Sequence, residues 1–169
     1  MAKKLSANRV TAPVNVEERD PNQMWSRPGF LLRRVHQIHY GLFFEECGLD
    51  MTPLQFGLLT VLSENPEGMD IGGLAFQLGT DRSNTADVAR RLAGRGYITQ
   101  DIAKDDRRKL VSSITKQGRL FLKQMERPML KSQERLLRPL SAEQRVVLME
   151  ALKLLVRVYN DKGRARMQM

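Results

Sequence analysis

Two stretches of the chain hold most of the residues able to read a polyanion. Between 82 and 95, the polar positions Arg82, Ser83, Asn84, Asp87, Arg90 and Arg91 fall on the outward side of an expected helix. A guanidinium can make two parallel hydrogen bonds to guanine and an Asn amide can do the same with adenine, while a Ser hydroxyl takes base or phosphate. The start of such a helix itself attracts a phosphate. Between 103 and 109, Ala103-Lys104-Asp105-Asp106-Arg107-Arg108-Lys109 forms a charged tip between two apolar runs. Arg107, Arg108 and Lys109 at a hairpin tip suit a narrow minor groove, where negative potential is concentrated. Residues 80–119 hold ten Lys or Arg against five acids, within a chain of 169 residues and net charge +9. Such a surplus favours nucleic acid or an anionic surface as partner.

Other chemistries find little support. The sequence has no Gly-rich phosphate loop, and Gly72-Gly73 falls inside an expected helix. No Ser-His-Asp or Cys-His arrangement stands out, so neither a catalytic residue nor a cofactor is expected. Cys47 is the single cysteine, and the adjacent Glu45 and Glu46 disfavour its thiolate. His36 and His39 lie three apart but lack an evident third ligand for zinc. No apolar run reaches the ~18 residues of a membrane span. The N-terminal stretch has no apolar core of the secretory type. The expectation is a cytoplasmic protein with no membrane partner.

The elements that must position the two basic stretches follow from periodicity and caps. Residues 1–23 are polar and read as a flexible arm. Pro28 opens a helix to Cys47, with Leu31, Val35, Ile38 and Leu42 on one face. Thr52-Pro53-Leu54-Gln55 reads as a capping box. Asp70 caps a helix carrying Ile71, Leu74, Ala75 and Leu78; Gly79 makes a turn; Thr80 or Asp81 caps the next helix, which buries Val88 and Leu92 and stops at Gly96. Residues 97–102 alternate as a strand, and 110–114 supply the second strand of a hairpin. Thr115 caps a long helix towards Leu137, which Pro128 should kink or break. Ser141-Ala142-Glu143-Gln144 caps a last helix to about Tyr159 that is apolar almost all round. Such a helix must bury more than one face. One face is expected on its own domain and another on a second copy, giving a homodimer. Lys162 to Arg166 reads as a basic, frayed tail.

Helix, helix, turn, helix and basic hairpin in this order make a winged helix-turn-helix. The fold class expected is mainly α with a small β-hairpin. A DNA-binding domain spans 51–115, a helical dimerisation region 24–50 and 116–160, and a basic tail 161–169. Three segments resemble the MarR family of bacterial regulators. Leu49-Asp50-Met51-Thr52-Pro53-Leu54-Gln55-Phe56 is similar to the entry to its second helix. Arg91-Leu92-Ala93-Gly94-Arg95-Gly96-Tyr97-Ile98 is similar to the end of its recognition helix. Asp106-Arg107-Arg108-Lys109-Leu110-Val111-Ser112-Ser113-Ile114-Thr115 is similar to its wing signature. The resemblance spans roughly 28–160.

The resemblance implies a repressor of a pseudo-palindromic duplex operator. Arg108 would be the minor-groove arginine and Asp106 the carboxylate orienting it, while Arg82, Ser83 and Asn84 would meet the major groove. The sequence departs from the family at Asp87, where relatives are often basic or polar, and at Arg90, where an Asp is usual. Asp87 and Arg91, four apart, form an expected pair. The resemblance also implies release of DNA by a small aromatic or pyridine carboxylate, and a likeness to the branch that represses nicotinate-degradation operons. Trp25, Arg33, Arg34, His36, His39, Tyr40 and Phe43 are the residues suited to such a ligand. The alternative is a nonspecific or architectural DNA binder without ligand control, using the same basic face.

Overall fold

The computed structural model describes residues 23–103, 109–163 and 165–168. Backbone packing divides the chain into two units, 1–37 and 38–169. In the first, Met24–Ser26 forms a 3-10 turn and Pro28 opens α1 (Pro28–Cys47). The Trp25 and Phe30 rings meet edge to face at 5.1 Å, and the Arg33 guanidinium lies 5.3 Å from the centre of the Phe30 ring. Residues 1–22 of the expected arm lie outside the described residues.

The second unit follows the expected order, with one added strand. It contains α2 (Pro53–Glu64), β1 (Met69–Asp70), α3 (Ile71–Leu78), α4 (Arg82–Gly94), β2 (Ile98–Ile102), β3 (Leu110–Ile114), α5 (Lys116–Leu137) and α6 (Ala142–Tyr159). Each helix of this set starts at a side chain that accepts an N–H otherwise lacking a partner. At α2 the Gln55 N–H donates to Thr52 Oγ1 at 3.2 Å, and the Thr52 N–H donates back to Gln55 Oε1 at 2.8 Å. The same reciprocal box closes α6 between Ser141 and Gln144. Asp70, Asp81 and Thr115 cap α3, α4 and α5 singly.

The core fills the space between α2, α3, α4 and the strands. Leu58, Leu59, Leu62, Leu74, Ala89 and Leu92 are fully shut off from solvent, and Phe43 of α1, Ile98 of β2 and Met125 of α5 close it. Each such large side chain removed from water is worth roughly 1.5–3 kcal/mol. Val88 and Leu92 are buried as their spacing requires.

The hairpin is part of a three-stranded antiparallel sheet in the order β1-β3-β2. Ile98 pairs with Ile114 and Ile102 with Leu110, while Met69 and Asp70 pair with Ser112 and Val111 on the other edge of β3. Gly68 precedes β1 at φ +79°, and a Cβ there would come within 2.7 Å of the Ser112 carbonyl oxygen. Only glycine lets the chain pass this close to β3.

Three expectations are corrected. Of the two expected effects of Pro128, the break does not occur: helix α5 runs without interruption from Lys116 to Leu137. Proline withholds one N–H, from the Gln124 carbonyl, while Met125 and Ser132 on either side are buried and hold the helix in place. Helix α6 does not lay a face on its own domain. It buries no residue, and Val146, Val147, Leu154 and Val158 each keep over half their surface exposed. The domain core is closed by Phe43 and Met125 without α6, of which only Leu152 among the apolar residues is half-buried. The tail is not frayed over 165–168. The Gln168 N–H donates to the Phe76 carbonyl at 3.0 Å, and Asn160 pairs twice with the Met167 backbone, at 2.7 and 2.8 Å.

Candidate nucleic-acid interface

Helix α4 is amphipathic and sits at the surface. Thr85, Val88, Ala89 and Leu92 face the core, and Arg82, Ser83, Asn84, Asp87, Arg90 and Arg91 are exposed. The cap is Asp81, whose Oδ1 accepts the Asn84 N–H at 2.8 Å. Thr80 has a different role: its hydroxyl accepts from the Asn84 side-chain amide at 3.2 Å. These two bonds fix Asn84 at the first turn of the helix, before any partner arrives. Gly79 turns the chain between α3 and α4 at φ +60°, a conformation that costs a residue with a Cβ about 1 kcal/mol or more.

The arginines divide by environment. Arg82 lies back against α3, where a Cβ on Gly72 would be 3.3 Å from its Nη2. Arg90 pairs with Asp87 at 2.7 Å, so the expected partner Arg91 is corrected to Arg90. Spacings of three and four both bring side chains together on a helix. Arg91 instead stands in the last turn, where a cation suits the negative helix end. Arg95 has a structural part: its Nη1 donates to the Asp50 carbonyl, and its guanidinium lies 5.2 Å from the centre of the Tyr97 ring.

The hairpin stands beside α4 on a knot of backbone bonds. The Thr115 hydroxyl donates to the Gly96 carbonyl at 2.7 Å and accepts the Gly118 N–H at 3.0 Å, and the Thr115 N–H donates to the Tyr97 carbonyl at 3.0 Å. At the far end the Ala103 N–H donates to the Lys109 carbonyl at 2.9 Å, and Lys109 is exposed. Asp106, Arg107 and Arg108 lie outside the described residues.

The residues expected for a ligand all lie on α1 or on the 3-10 turn before it. Trp25 is exposed, Arg33 lies over Phe30, Arg34 donates to the Gln37 side chain at 3.4 Å, and His36 is exposed. His39 approaches the rings of Tyr40 and Phe43 at 6.0 and 6.4 Å, and Tyr40 stacks edge-on with Phe44 at 5.9 Å. Phe43 itself is buried in the core.

A groove of about 590 Å³ lies between α2 and α5 instead, lined by Phe56, Thr60, Leu122, Met129 and Leu130 with Arg119, Lys123 and Glu126 at its polar side. Arg119 donates to the Ser63 carbonyl at 3.3 Å. Sequence reasoning missed this groove. Its only local signal is the four-residue spacing of Arg119 and Lys123 on α5.

Beyond the groove, Lys131 and Arg135 of α5 grip Glu46 at 2.8 and 2.6 Å, and these bonds hold its carboxyl below the usual range. Burial pushes the neighbouring Cys47 thiol up, and Glu46 adds to that shift. No group of three His, Cys, Asp or Glu among the described residues is placed to hold a metal ion. Among the same residues no helix is long and apolar enough to cross a membrane.

A model of the MarR family matches residues 49–109, the stretch from α2 to the wing tip. A protein assigned to transcriptional regulation of the hcr operon in Thauera aromatica is 31% identical over 131 residues, covering 76% of this chain and 78% of that one. This chain belongs to the MarR family. Two solved structures are similar to it over most of their length. A transcriptional repressor, CouR, solved bound to a 23-mer DNA duplex, is 26% identical. The match covers 82% of this chain and 99% of CouR at a TM-score of 0.73. The PcaV regulator of Streptomyces coelicolor, in complex with its natural ligand, is 25% identical and covers 87% of this chain and 98% of PcaV, also at 0.73. The MarR-family chain is therefore a winged-helix transcriptional regulator, from a family of DNA-binding proteins and not of enzymes.

Proposed function

We propose that the protein is a ligand-responsive repressor that binds a pseudo-palindromic operator as a homodimer. The observation that carries this reading is the exposed polar face of α4, with Asn84 held in place at its first turn. In this reading Arg82, Ser83, Asn84, Arg90 and Arg91 meet the major groove. Arg107, Arg108 and Lys109 meet the minor groove, with Asp106 orienting Arg108. Arg82 and Arg90 leave their resting contacts with Gly72 and Asp87 to do so. An exposed ion pair such as Asp87–Arg90 holds by only about 0–1 kcal/mol, so phosphate can displace it.

The dimerisation region runs over 24–50 and 116–160, with 51–115 as the DNA-binding domain. Support comes from the uncovered apolar surface of α6 and from exposed Leu31, Val35 and Ile38 on α1. A single chain that left this surface in water would be prone to association.

The effector is a small anionic aromatic compound, and pyridine carboxylates of the nicotinate type belong to the class to be tested. The groove between α2 and α5 supplies the chemistry: apolar walls from Phe56, Leu122 and Met129, with Arg119 and Lys123 to receive a carboxylate. The α1 residues Trp25, Arg33, Arg34, His36, His39, Tyr40 and Phe43 are a second candidate set. PcaV, similar over most of its length, is a regulator with a natural ligand. A ligand acts on DNA binding only through its different affinities for the free and bound forms.

The test is a comparison of Asn84→Ala and Arg91→Ala on selected operator and on random DNA. Asn84→Ala is expected to weaken the operator by about 1–3 kcal/mol and to leave random DNA almost unchanged. Equal weakening of both duplexes would point to a nonspecific or architectural binder. Arg119→Ala should abolish release by whichever aromatic acid dissociates the wild-type complex.

A further inference from the structure

Resting on that interface reading, we propose that the C-terminal segment 165–168 is a third DNA-contacting element of each protomer, in which Arg166 meets a backbone phosphate beside the entry of α4 into the groove.

The segment is built into the helix-turn-helix. Helix α3 ends with carbonyls that have no donor inside the helix. One of them, on Phe76, receives the Gln168 N–H at 3.0 Å, and the Gln77 side-chain amide donates to Gln168 Oε1 at 2.7 Å. Asn160 holds the other side of the segment. Its amide nitrogen donates to the Met167 carbonyl and its oxygen accepts the Met167 N–H, the two-point pairing of a strand ladder. The Met167 side chain then covers the turn: a Cβ on Gly79 would stand 3.0 Å from Met167 Cβ.

The neighbouring residue is Arg166, which is exposed. Met167 fixes it to within one Cα step, about 3.8 Å, of the residue covering Gly79. Asp81, the cap of α4, is two residues past Gly79, a span of at most about 7 Å. The Arg166 backbone is thereby held beside the turn that leads into α4, within side-chain reach of that end of the helix. A guanidinium so placed finds phosphate and not base edges as its partner, through charge-assisted bonds that carry no sequence information.

The experiment uses the full-length protein and measures affinity for a selected operator and a scrambled duplex between 50 and 200 mM salt. Arg166→Gln is expected to weaken both duplexes alike. A dimer that loses two phosphate contacts should show a salt-driven fall in affinity about tenfold shallower over that range. The melting temperature stays at the wild-type value, which separates a phosphate contact from a stabilising charge at the end of α3. Asn160→Ala keeps the cation but unpins the segment, and it should reproduce most of the loss.

If Arg166→Gln leaves affinity and salt slope unchanged while Arg91→Ala weakens binding, the tail contact is overturned and the interface reading stands. If Arg91→Ala also changes nothing, the interface reading falls and takes the tail with it. A loss in Arg166→Gln without one in Asn160→Ala would overturn the docking of the segment as the cause.

Discussion

The lobe from α2 to β3 and helix α6 are both well-formed structures, yet they spend their apolar residues differently. In the lobe, six side chains from Leu58 to Leu92 are wholly removed from solvent. In α6 a comparably apolar set, from Val146 to Tyr159, has no fully buried member, and only Leu152 is half-buried. Both begin with the same device, a reciprocal capping box, at Thr52 and at Ser141. Local signals therefore start a helix equally well in either place, and tertiary burial is what separates them. The lobe buries its apolar residues within one chain; in the proposed homodimer, α6 would bury its own against a second.

The largest effect should follow from attacking that second surface. Leu148→Glu with Leu155→Glu, seven apart on one face, is expected to give monomers in sedimentation velocity. It should also cost operator affinity about 10²–10⁴-fold, since two linked half-site contacts become independent. A variant that kept the wild-type mass and affinity would erase the distinction between the regions. Next, Leu62→Ala in the lobe should cost about 2–5 kcal/mol of unfolding free energy at any protein concentration. Leu155→Ala should instead weaken association, so that its melting temperature falls below the wild-type value most at low protein concentration and recovers as concentration rises. Identical concentration behaviour of the two in thermal scans would break the comparison.

Smaller effects sharpen it. Thr52→Ala and Ser141→Ala should each cost roughly 0.5–2 kcal/mol, because the caps are alike even though the burial is not. Denaturant titration that found Ser141→Ala silent would show α6 to be frayed at its start. The smallest effect is on pH dependence. The Glu46 carboxyl is held below its usual range by Lys131 and Arg135, so its stabilisation is complete above the ordinary glutamate value of about 4.3 and is lost as pH falls towards the depressed value. Glu46→Gln should flatten the acid limb of the stability curve by lowering stability at neutral pH while leaving it nearly unchanged at low pH, where the native carboxyl is protonated.

Much of this fold was legible because its punctuation is local. Pro28, Thr52, Asp70, Thr115 and Ser141 each announce a helix within three or four residues of sequence, and the 98–102 and 110–114 strands alternate visibly. Strand β1 was not legible: two residues are too few to show a period, and its pairing with Val111 and Ser112 spans over forty positions. Pro128 did not end the helix, because a proline's cost is local while the tertiary burial of flanking Met125 and Ser132 is not. Of the candidate site, the polar face of α4 could be read directly. The partner of Asp87 could not, since two spacings compete on the same helix face. The α2–α5 groove was hidden for a related reason: Ser63 and Arg119, joined by a hydrogen bond, are 56 residues apart.

Thr115 joins parts that the description so far has kept separate. Its hydroxyl and N–H tie the end of α4, the root of β2 and the first turn of α5 into one junction, with bonds to Gly96, Tyr97 and Gly118. The groove that could receive an effector lies further along the same α5. A tilt of that long helix has no slack joint to absorb it at its near end. If an effector in that groove tilted the helix, the hairpin and the end of α4 would move together, and in the proposed function that would change the spacing of the two parts expected to face DNA.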